Sequence, residues 1–214
     1  MRLRDLIRGA VRMAPRAPRA AHAMLTVARS DPSTRLSMGA WVERNSRRHR
    51  DQPALLFEES RWTWRELNLV ANRWAHALTQ HGVRRGDVVA LGLESRPELM
   101  FAVIALAKLG AVSGLVNSSL APESLAHSLR VVDPSFWIIG QEVAPGFGRV
   151  FDGVPGARRR LYVADTWSGA RAEEPPPGWT SLDRAVSAAG RGNPDSTRKI
   201  TLGERLFTIP TSGT

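Results

Sequence analysis

The hydrophobic positions between residues 36 and 139 follow two different patterns. Residues 37–50 and 64–81 carry apolar side chains three and four residues apart, the spacing of one face of an α-helix. Between and after these segments lie short, continuous apolar runs of strand length. These runs are 53–57, 88–93, 111–116 and 136–139. Continuous runs of this kind are typical of parallel strands that are buried on both faces.

The starts of two helices are marked by a hydroxyl residue followed three positions later by glutamate. Thr63 and Glu66 precede the first of these helices, and Ser95 and Glu98 precede the second, with Pro97 in its first turn. Each pair predicts a capping box, in which the hydroxyl accepts from a backbone amide and the glutamate bonds back to the amide of the cap.

The helix that follows Pro97 runs to about Leu109 and is apolar nearly all round, so we expect it to be covered on both sides. Lys108, near its end, is interpreted as a cation that extends to solvent and complements the helix dipole. A further helix begins at Pro122 and ends before Asp133 and Pro134. The alternation of strands and helices predicts an α/β fold, with a mostly parallel sheet covered by helices on both faces.

The pattern is weaker in the last third of the chain. It predicts a strand at 160–163, a proline-rich surface loop at 168–179 and a short helix at 180–189. Residues 190–199 are polar and are expected to be mobile. A last strand is predicted at 206–209.

Composition and charge exclude several classes of function. The chain has 214 residues, 43% hydrophobic and 23% charged, which suits a globular domain. It has no cysteine, which excludes disulfides, cysteine metal sites and a cysteine nucleophile. Its five histidines lack metal-ligand spacing. No apolar stretch is long enough to span a bilayer, and we expect a cytoplasmic protein.

The positive charge is concentrated at the N-terminus. Residues 1–30 contain seven arginines and one aspartate, which accounts for +6 of the total net charge of +10. Leu3, Leu6, Ile7 and Val11 recur at helical spacing among the arginines. Residues 1–35 are therefore a basic leader. It is interpreted as a surface helix on anionic lipid, a helix packed on the protein, an unstructured leader or a transit peptide. The body, residues 36–214, has no basic run interleaved with aromatics, so no nucleic-acid partner is expected.

The strongest chemical motif is Thr211–Thr214, the sequence Thr-Ser-Gly-Thr directly after the last predicted strand. Hydroxyls, amides and a glycine that permits close approach suit phosphate binding. Taken alone, four such residues more often form an ordinary turn. Packing is the default interpretation for Trp62 and Trp64, a turn for Asn117, and a structural or surface role for His127.

The motif gains weight from the segments that precede it in order. The chain end resembles the phosphate loop of the adenylate-forming superfamily, which typically runs aromatic-Thr-Ser-Gly-Thr-Thr-Gly-x-Pro-Lys. Upstream, 62–67 is similar to that family's Thr-Tyr-x-Glu-Leu segment, and 82–90 is similar to the turn before its central strand. Residues 96–98 and 107–112 resemble the helix and strand that follow. Residues 117–129 resemble the branch of fatty-acid transport proteins and very-long-chain acyl-CoA synthetases.

This resemblance covers about 36–139 and 204–214 and implies the first part of a large N-terminal AMP-binding domain. It implies a long- or very-long-chain acyl-CoA synthetase, in which a fatty acid attacks ATP to give an acyl-adenylate and CoA then displaces AMP. It further implies ATP, Mg²⁺ and CoA as cofactors, and Thr211, Ser212, Gly213 and Thr214 as phosphate-binding residues. No catalytic residue is assigned.

Two departures from the family pattern bear on activity. Pro210 stands where the family has an aromatic residue, and the lysine of the loop is not part of this sequence. We therefore expect a fragment that is truncated in the phosphate loop and inactive by itself. The alternative is a non-catalytic, membrane-associated or binding fragment, with peripheral membrane contact through 1–30.

Overall fold

The computed structural model describes residues 31–150, 154, 159–169 and 171–210. The predicted leader helix in 1–30 and the predicted phosphate loop Thr211–Thr214 lie outside the described residues. None of the helices in the described part of the chain combines the length and the apolarity that crossing a bilayer requires.

The first elements are two helices joined by a hairpin. They are α1 (Met38–Arg48), the antiparallel strands β1 (Pro53–Phe57) and β2 (Ser60–Thr63), and α2 (Trp64–Gln80). The capping box at the start of α2 is confirmed. The Thr63 hydroxyl accepts from the Glu66 amide at 3.3 Å, and the Glu66 carboxylate accepts from the Thr63 amide at 2.9 Å. At the end of α2, Gly82 supplies the left-handed turn with φ of 93°.

Six parallel strands form the central sheet. They are β3 (Val88–Gly92), β4 (Val112–Leu115), β5 (Phe136–Gly140), β6 (Arg159–Val163), β7 (Thr180–Ser181) and β8 (Phe207–Thr208). Their order across the sheet is β7-β6-β5-β3-β4-β8, and all five neighbouring pairs are parallel. This arrangement confirms the predicted parallel α/β sheet.

Helices cover both faces of the sheet, as predicted. Those that connect or follow the strands are α3 (Pro97–Leu109), α4 (Pro122–Val132), α5 (Ala144–Gly148) and α6 (Leu182–Ala188). On the first face, α1, α2, α3 and α6 share one core with inward side chains such as Val89 and Ile138. On the second face, α4 and α5 pack on Ala90, Trp137 and Ile139. Every residue of α3 from 101 to 109 is buried, which confirms that this helix is covered on both sides.

The second predicted capping box is wrong. Helix α3 begins at Pro97, so Arg96 and not Ser95 occupies the cap position, and its side chain makes no cap hydrogen bond. Proline at the first helical position fixes φ and needs no amide acceptor, so the helix starts there without a hydroxyl. The Glu98 carboxylate instead accepts from the indole N–H of Trp167 at 2.8 Å.

The prediction that Lys108 extends to solvent is also wrong. Its side chain is 0% exposed, and Nζ donates to the Glu43 carboxylate of α1 at 2.8 Å. Gly39 allows α1 to approach this closely, because a Cβ there would lie 2.7 Å from Lys108 Cγ. Burial lowers the pKa of Lys108, although the hydrogen bond from Lys108 to Glu43 opposes that shift. A helix covered on both sides leaves the amine no route to water, so it is paired internally.

The polar segment 190–199 is held on the fold, contrary to the expected mobility. The Asn193 side-chain oxygen accepts from the amides of Asn68 and Asn72, both at 2.9 Å. A 3-10 helix follows at Asp195–Lys199, and the Ser196 hydroxyl donates to the Lys108 carbonyl at 2.8 Å. Polar side chains in this segment are therefore used for hydrogen bonds to α2 and α3, although most of its residues are also exposed to solvent.

Candidate functional site

The carboxyl ends of the parallel strands meet at one edge of the sheet. In open α/β sheets ligands bind at this edge, in the crevice where the connections of two adjacent strands leave toward opposite faces. Here β3 continues into α3 on the first face, whereas its neighbour β5 continues into α5 on the second face. The switch point therefore lies between the ends of β3 and β5.

That crevice is filled by side chains of the protein itself. Arg96, only 7% exposed, donates to the carbonyls of Ala164 at 3.0 Å and Val163 at 3.2 Å, both at the end of β6. The Glu142 carboxylate, which follows β5, accepts from the Glu94 amide, which follows β3, at 2.9 Å. A hydrogen bond thus bridges the two loops at the point where a ligand would otherwise enter.

The charges of this cluster do not suit a phosphate. Carboxylate oxygens of Glu98, Glu142 and Asp165 lie 3.8, 3.5 and 3.6 Å from the Arg96 guanidinium nitrogens. Burial raises the pKa of the Asp165 carboxyl, but hydrogen bonds from Ser168 and the neighbouring backbone amides outweigh it and hold the pKa below its usual value. Three carboxylates against one guanidinium would repel the phosphates of a nucleotide.

A second position at the same edge lies at the ends of β4 and β8. The two strands pair in parallel register, with Gly114 beside Thr208. After β8, Ile209 and Pro210 carry the chain toward the carboxyl edge. The loop after β4 contains Asn117, whose side-chain oxygen accepts from the Ser119 amide at 3.0 Å, as expected for a turn.

The residues predicted for phosphate binding follow β8 in the sequence. Thr211, Ser212, Gly213 and Thr214 come directly after Pro210 and lie outside the described residues, so their assignment stays a prediction. The described residues contain no cluster of three or more metal-ligating His, Asp or Glu side chains. Sequence reasoning did not predict that Arg96 and Glu142 fill the crevice, because their hydrogen-bond partners are distant in the chain.

The packing interpretations of the tryptophans are confirmed. Trp62 contacts Phe101 and Trp167 edge to face, with centroids 5.6 and 5.9 Å apart. Trp64 packs against Trp41 at 5.0 Å. His127 is exposed on α4, as expected for a surface role.

Comparison with protein-family models tests whether the chain belongs to the suspected superfamily. The family model described as "AMP-binding enzyme" matches residues 42–214, most of the chain. The chain belongs to the AMP-binding enzyme family. The match includes β8 and the Thr-Ser-Gly-Thr sequence that follows it.

Two curated relatives of this AMP-binding protein have names that refer to long-chain fatty acids, and others are named acetyl-coenzyme A synthetases. It is 28% identical over 214 residues to the medium/long-chain-fatty-acid–CoA ligase FadD6 of Mycobacterium tuberculosis, covering 100% of this chain and 33% of that protein. It is 31% identical over 102 residues to the mouse long-chain fatty acid transport protein 6, covering 47% of this chain and 16% of the relative. The chain thus spans a third or less of the length of these relatives.

Solved structures share the fold of this AMP-binding protein. A Mycobacterium tuberculosis fatty acyl CoA synthetase superimposes with a TM-score of 0.69 at 23% identity, covering 85% of this chain and 34% of that chain. At this identity the likeness establishes the α/β fold alone.

Proposed function

We propose that this chain is the N-terminal portion of an ATP-dependent acyl-CoA ligase that activates a long- or very-long-chain fatty acid. The observation that carries the proposal is the position of β8. This strand pairs in parallel with β4 at the edge of the sheet, and Thr211–Thr214 follow it in the sequence, within the family match. The names of the relatives support a fatty acid as the substrate class.

The proposed reaction has two steps. A fatty-acid carboxylate attacks the α-phosphate of ATP and releases pyrophosphate, and the thiol of CoA then displaces AMP from the acyl-adenylate. Such phosphoryl chemistry depends chiefly on charge neutralisation and positioning. We assign Thr211, Ser212, Gly213 and Thr214 to the phosphates, through backbone amides and hydroxyls. The donor set fits phosphate oxygens, whereas the carboxylate-rich cluster around Arg96 does not.

Magnesium is proposed to enter with the nucleotide. Since the described residues contain no ready-made metal cluster, this part of the chain would meet the ion through the phosphates that the loop holds. Mg²⁺ commonly binds through one or two carboxylates together with substrate phosphates, so this arrangement is ordinary for such an ion.

The proposed domain organisation is a basic leader at 1–35 and a partial AMP-binding domain at 36–214. We further propose that the leader makes peripheral contact with a membrane, on the basis of its seven arginines and helical apolar spacing. The same observation supports the second candidate function, a non-catalytic membrane-associated fragment.

The proposed inactivity of this portion is tested by an assay of the polypeptide 1–214 alone. With ATP, Mg²⁺ and fatty acids of 8, 16 and 24 carbons, we expect no pyrophosphate above background, because the family's loop lysine is not among these residues. Mycobacterium tuberculosis FadD6 in the same assay is the positive control. Pyrophosphate release that depends on the fatty acid would overturn the proposed inactivity of this polypeptide.

A further inference from the structure

Helix α1 presents a basic and aromatic face to solvent. Four side chains share this face, at positions spaced by three and four residues or adjacent to one another: Trp41, Arg44, Arg47 and Arg48. All are exposed, and the Trp41 indole is 43% exposed although it packs at one edge on Trp64. The opposite side of α1, which includes Val42, is buried in the core.

Two further arginines extend this face beyond the end of α1. The Arg65 amide donates to the Arg50 carbonyl at 3.1 Å, which places the first turn of α2 beside the loop that follows α1. Both side chains are exposed. We call the six residues Trp41, Arg44, Arg47, Arg48, Arg50 and Arg65 the α1 face.

The positive charge of the α1 face is largely uncompensated. Arg50 has a loose pair with Asp51 at 3.9 Å, with both side chains exposed. Among the described residues, no carboxylate lies within ion-pair distance of Arg44, Arg47 or Arg48. Glu43, the acidic residue of α1, points inward to Lys108. The guanidinium groups are therefore free to meet an external anion.

The helices on the second face of the sheet carry no comparable excess of positive charge. Helix α4 contains one acid and one base, Glu123 and Arg130, and α5 contains neither. These two helices thus carry no net charge, in contrast to the α1 face. A one-sided basic surface attracts a flat anionic partner and sets its orientation.

We propose that the α1 face docks on the surface of an anionic lipid bilayer. Arginines bind lipid phosphates in pairs of hydrogen bonds, and an exposed indole among them suits the headgroup region, where amphipathic aromatic rings accumulate. The basic segment 1–30 precedes this face in the chain and adds charge of the same sign. The occupant is a bilayer and not a nucleic acid, because the α1 face has one exposed aromatic, Trp41, and not the several interleaved aromatics on which bases stack.

This inference goes beyond the proposed contact of the leader, because it assigns membrane binding to the folded body. Each arginine near an anionic surface strengthens binding by about fivefold. Neutralising three of them would therefore weaken binding by roughly a hundredfold, independently of the leader.

Vesicle co-sedimentation of the full chain tests the proposal. The probe is a vesicle of phosphatidylglycerol and phosphatidylcholine in equal parts, at about 0.1 M salt. The variant carries Arg44→Gln, Arg47→Gln and Arg48→Gln. A matched control carries Arg149→Gln, Arg159→Gln and Arg171→Gln, three exposed arginines elsewhere that change the net charge equally. A third variant neutralises Arg2, Arg4 and Arg8 in the leader.

We expect the α1 variant to lose roughly a hundredfold in partition coefficient and the matched control to lose far less. Far-ultraviolet circular dichroism should show that all variants remain folded, since the changed side chains are exposed. Equal loss in the α1 variant and the control would overturn the proposal, as would loss in the leader variant alone. Binding to duplex DNA as tight as to the vesicles, and lost in the same α1 variant, would also overturn it.

Discussion

Replacing Lys108 by methionine is expected to lower the free energy of unfolding by about 3–5 kcal/mol, one of the two largest effects in this chain. The substitution keeps the volume of the side chain but removes the cation 2.8 Å from the Glu43 carboxylate. Glu43 is only 7% exposed, so a charge would be left in the core without a partner. Urea unfolding, followed by tryptophan fluorescence, measures the change.

Two controls separate the ion pair from a general effect of lost charge. Lys199→Met removes an exposed cation and is expected to stay within about 0.5 kcal/mol of wild type. The double variant Lys108→Met and Glu43→Leu removes both charges and is expected to recover most of the loss, because apolar replacement of a buried pair is often neutral. A single variant as stable as Lys199→Met would contradict the role given to the pair.

The Lys108–Glu43 pair also makes the free energy of unfolding depend on pH in a direction that can be predicted. Because burial lowers the pKa of Lys108 below 10.5 in the folded state, the unfolded chain holds more protons between the lowered pKa and 10.5. Stability contributed by this group therefore rises with pH across that window and is lost as pH falls through the folded pKa. The double variant should lack this part of the slope.

Replacing Arg96 by methionine is the second large effect, with an expected loss of about 3–5 kcal/mol. Three carboxylates lose their common cation, and the carbonyls of Val163 and Ala164 lose their donors. Arg96→Lys should recover only part of the loss, since an ammonium cannot reproduce the fork that reaches two carbonyls at once. Arg149→Met, at an exposed position, is the matched control.

The Arg96 prediction also tests the assignment of the switch point. If the Arg96 cluster fills the crevice between β3 and β5 for structural reasons, losing Arg96 should destabilise this edge of the sheet. The urea concentration at the midpoint of unfolding should then fall. An Arg96→Met variant with the stability of Arg149→Met would show that the cluster is not needed for the fold, and the crevice would again be a candidate ligand site.

Local signals in the sequence were enough for most of the fold. Thr63 and Glu66 are three residues apart and formed the expected capping box, and Pro122 and Asp133 bounded α4 as predicted. The runs at 88–93, 111–116 and 136–139 became parallel strands because strands covered on both faces need apolar side chains at every position, whereas the run at 53–57 became the antiparallel, partly exposed β1. Each of these predictions depends on residues that are close together in the chain.

The wrong predictions involve partners far apart in the chain. Lys108 pairs with Glu43, and Arg96 with carbonyls near residue 164. The polar segment at 190–199 bonds to α2 more than 110 positions earlier. Helical spacing alone could not show that Arg96 would occupy the cap position of α3 with its guanidinium buried.

The candidate site was predictable only in part. The motif at Thr211–Thr214 and its resemblance were visible in the sequence, and the family match covers them. That the usual switch-point crevice is occupied by Arg96 and Glu142 became visible only in the fold, because it depends on which strands are neighbours. We therefore propose the ends of β4 and β8 as the place for a nucleotide.

The most direct test of the proposed function is fatty-acid-dependent exchange between ATP and pyrophosphate, measured on the full-length ligase of which this chain is proposed to be a portion. We predict exchange that requires a long-chain fatty acid and falls by about a hundredfold in Ser212→Ala, the loss typical of one oxyanion donor. Ser187→Ala, an exposed hydroxyl on α6, should leave exchange unchanged. No exchange with any fatty acid, or equal exchange in the two variants, would contradict the account.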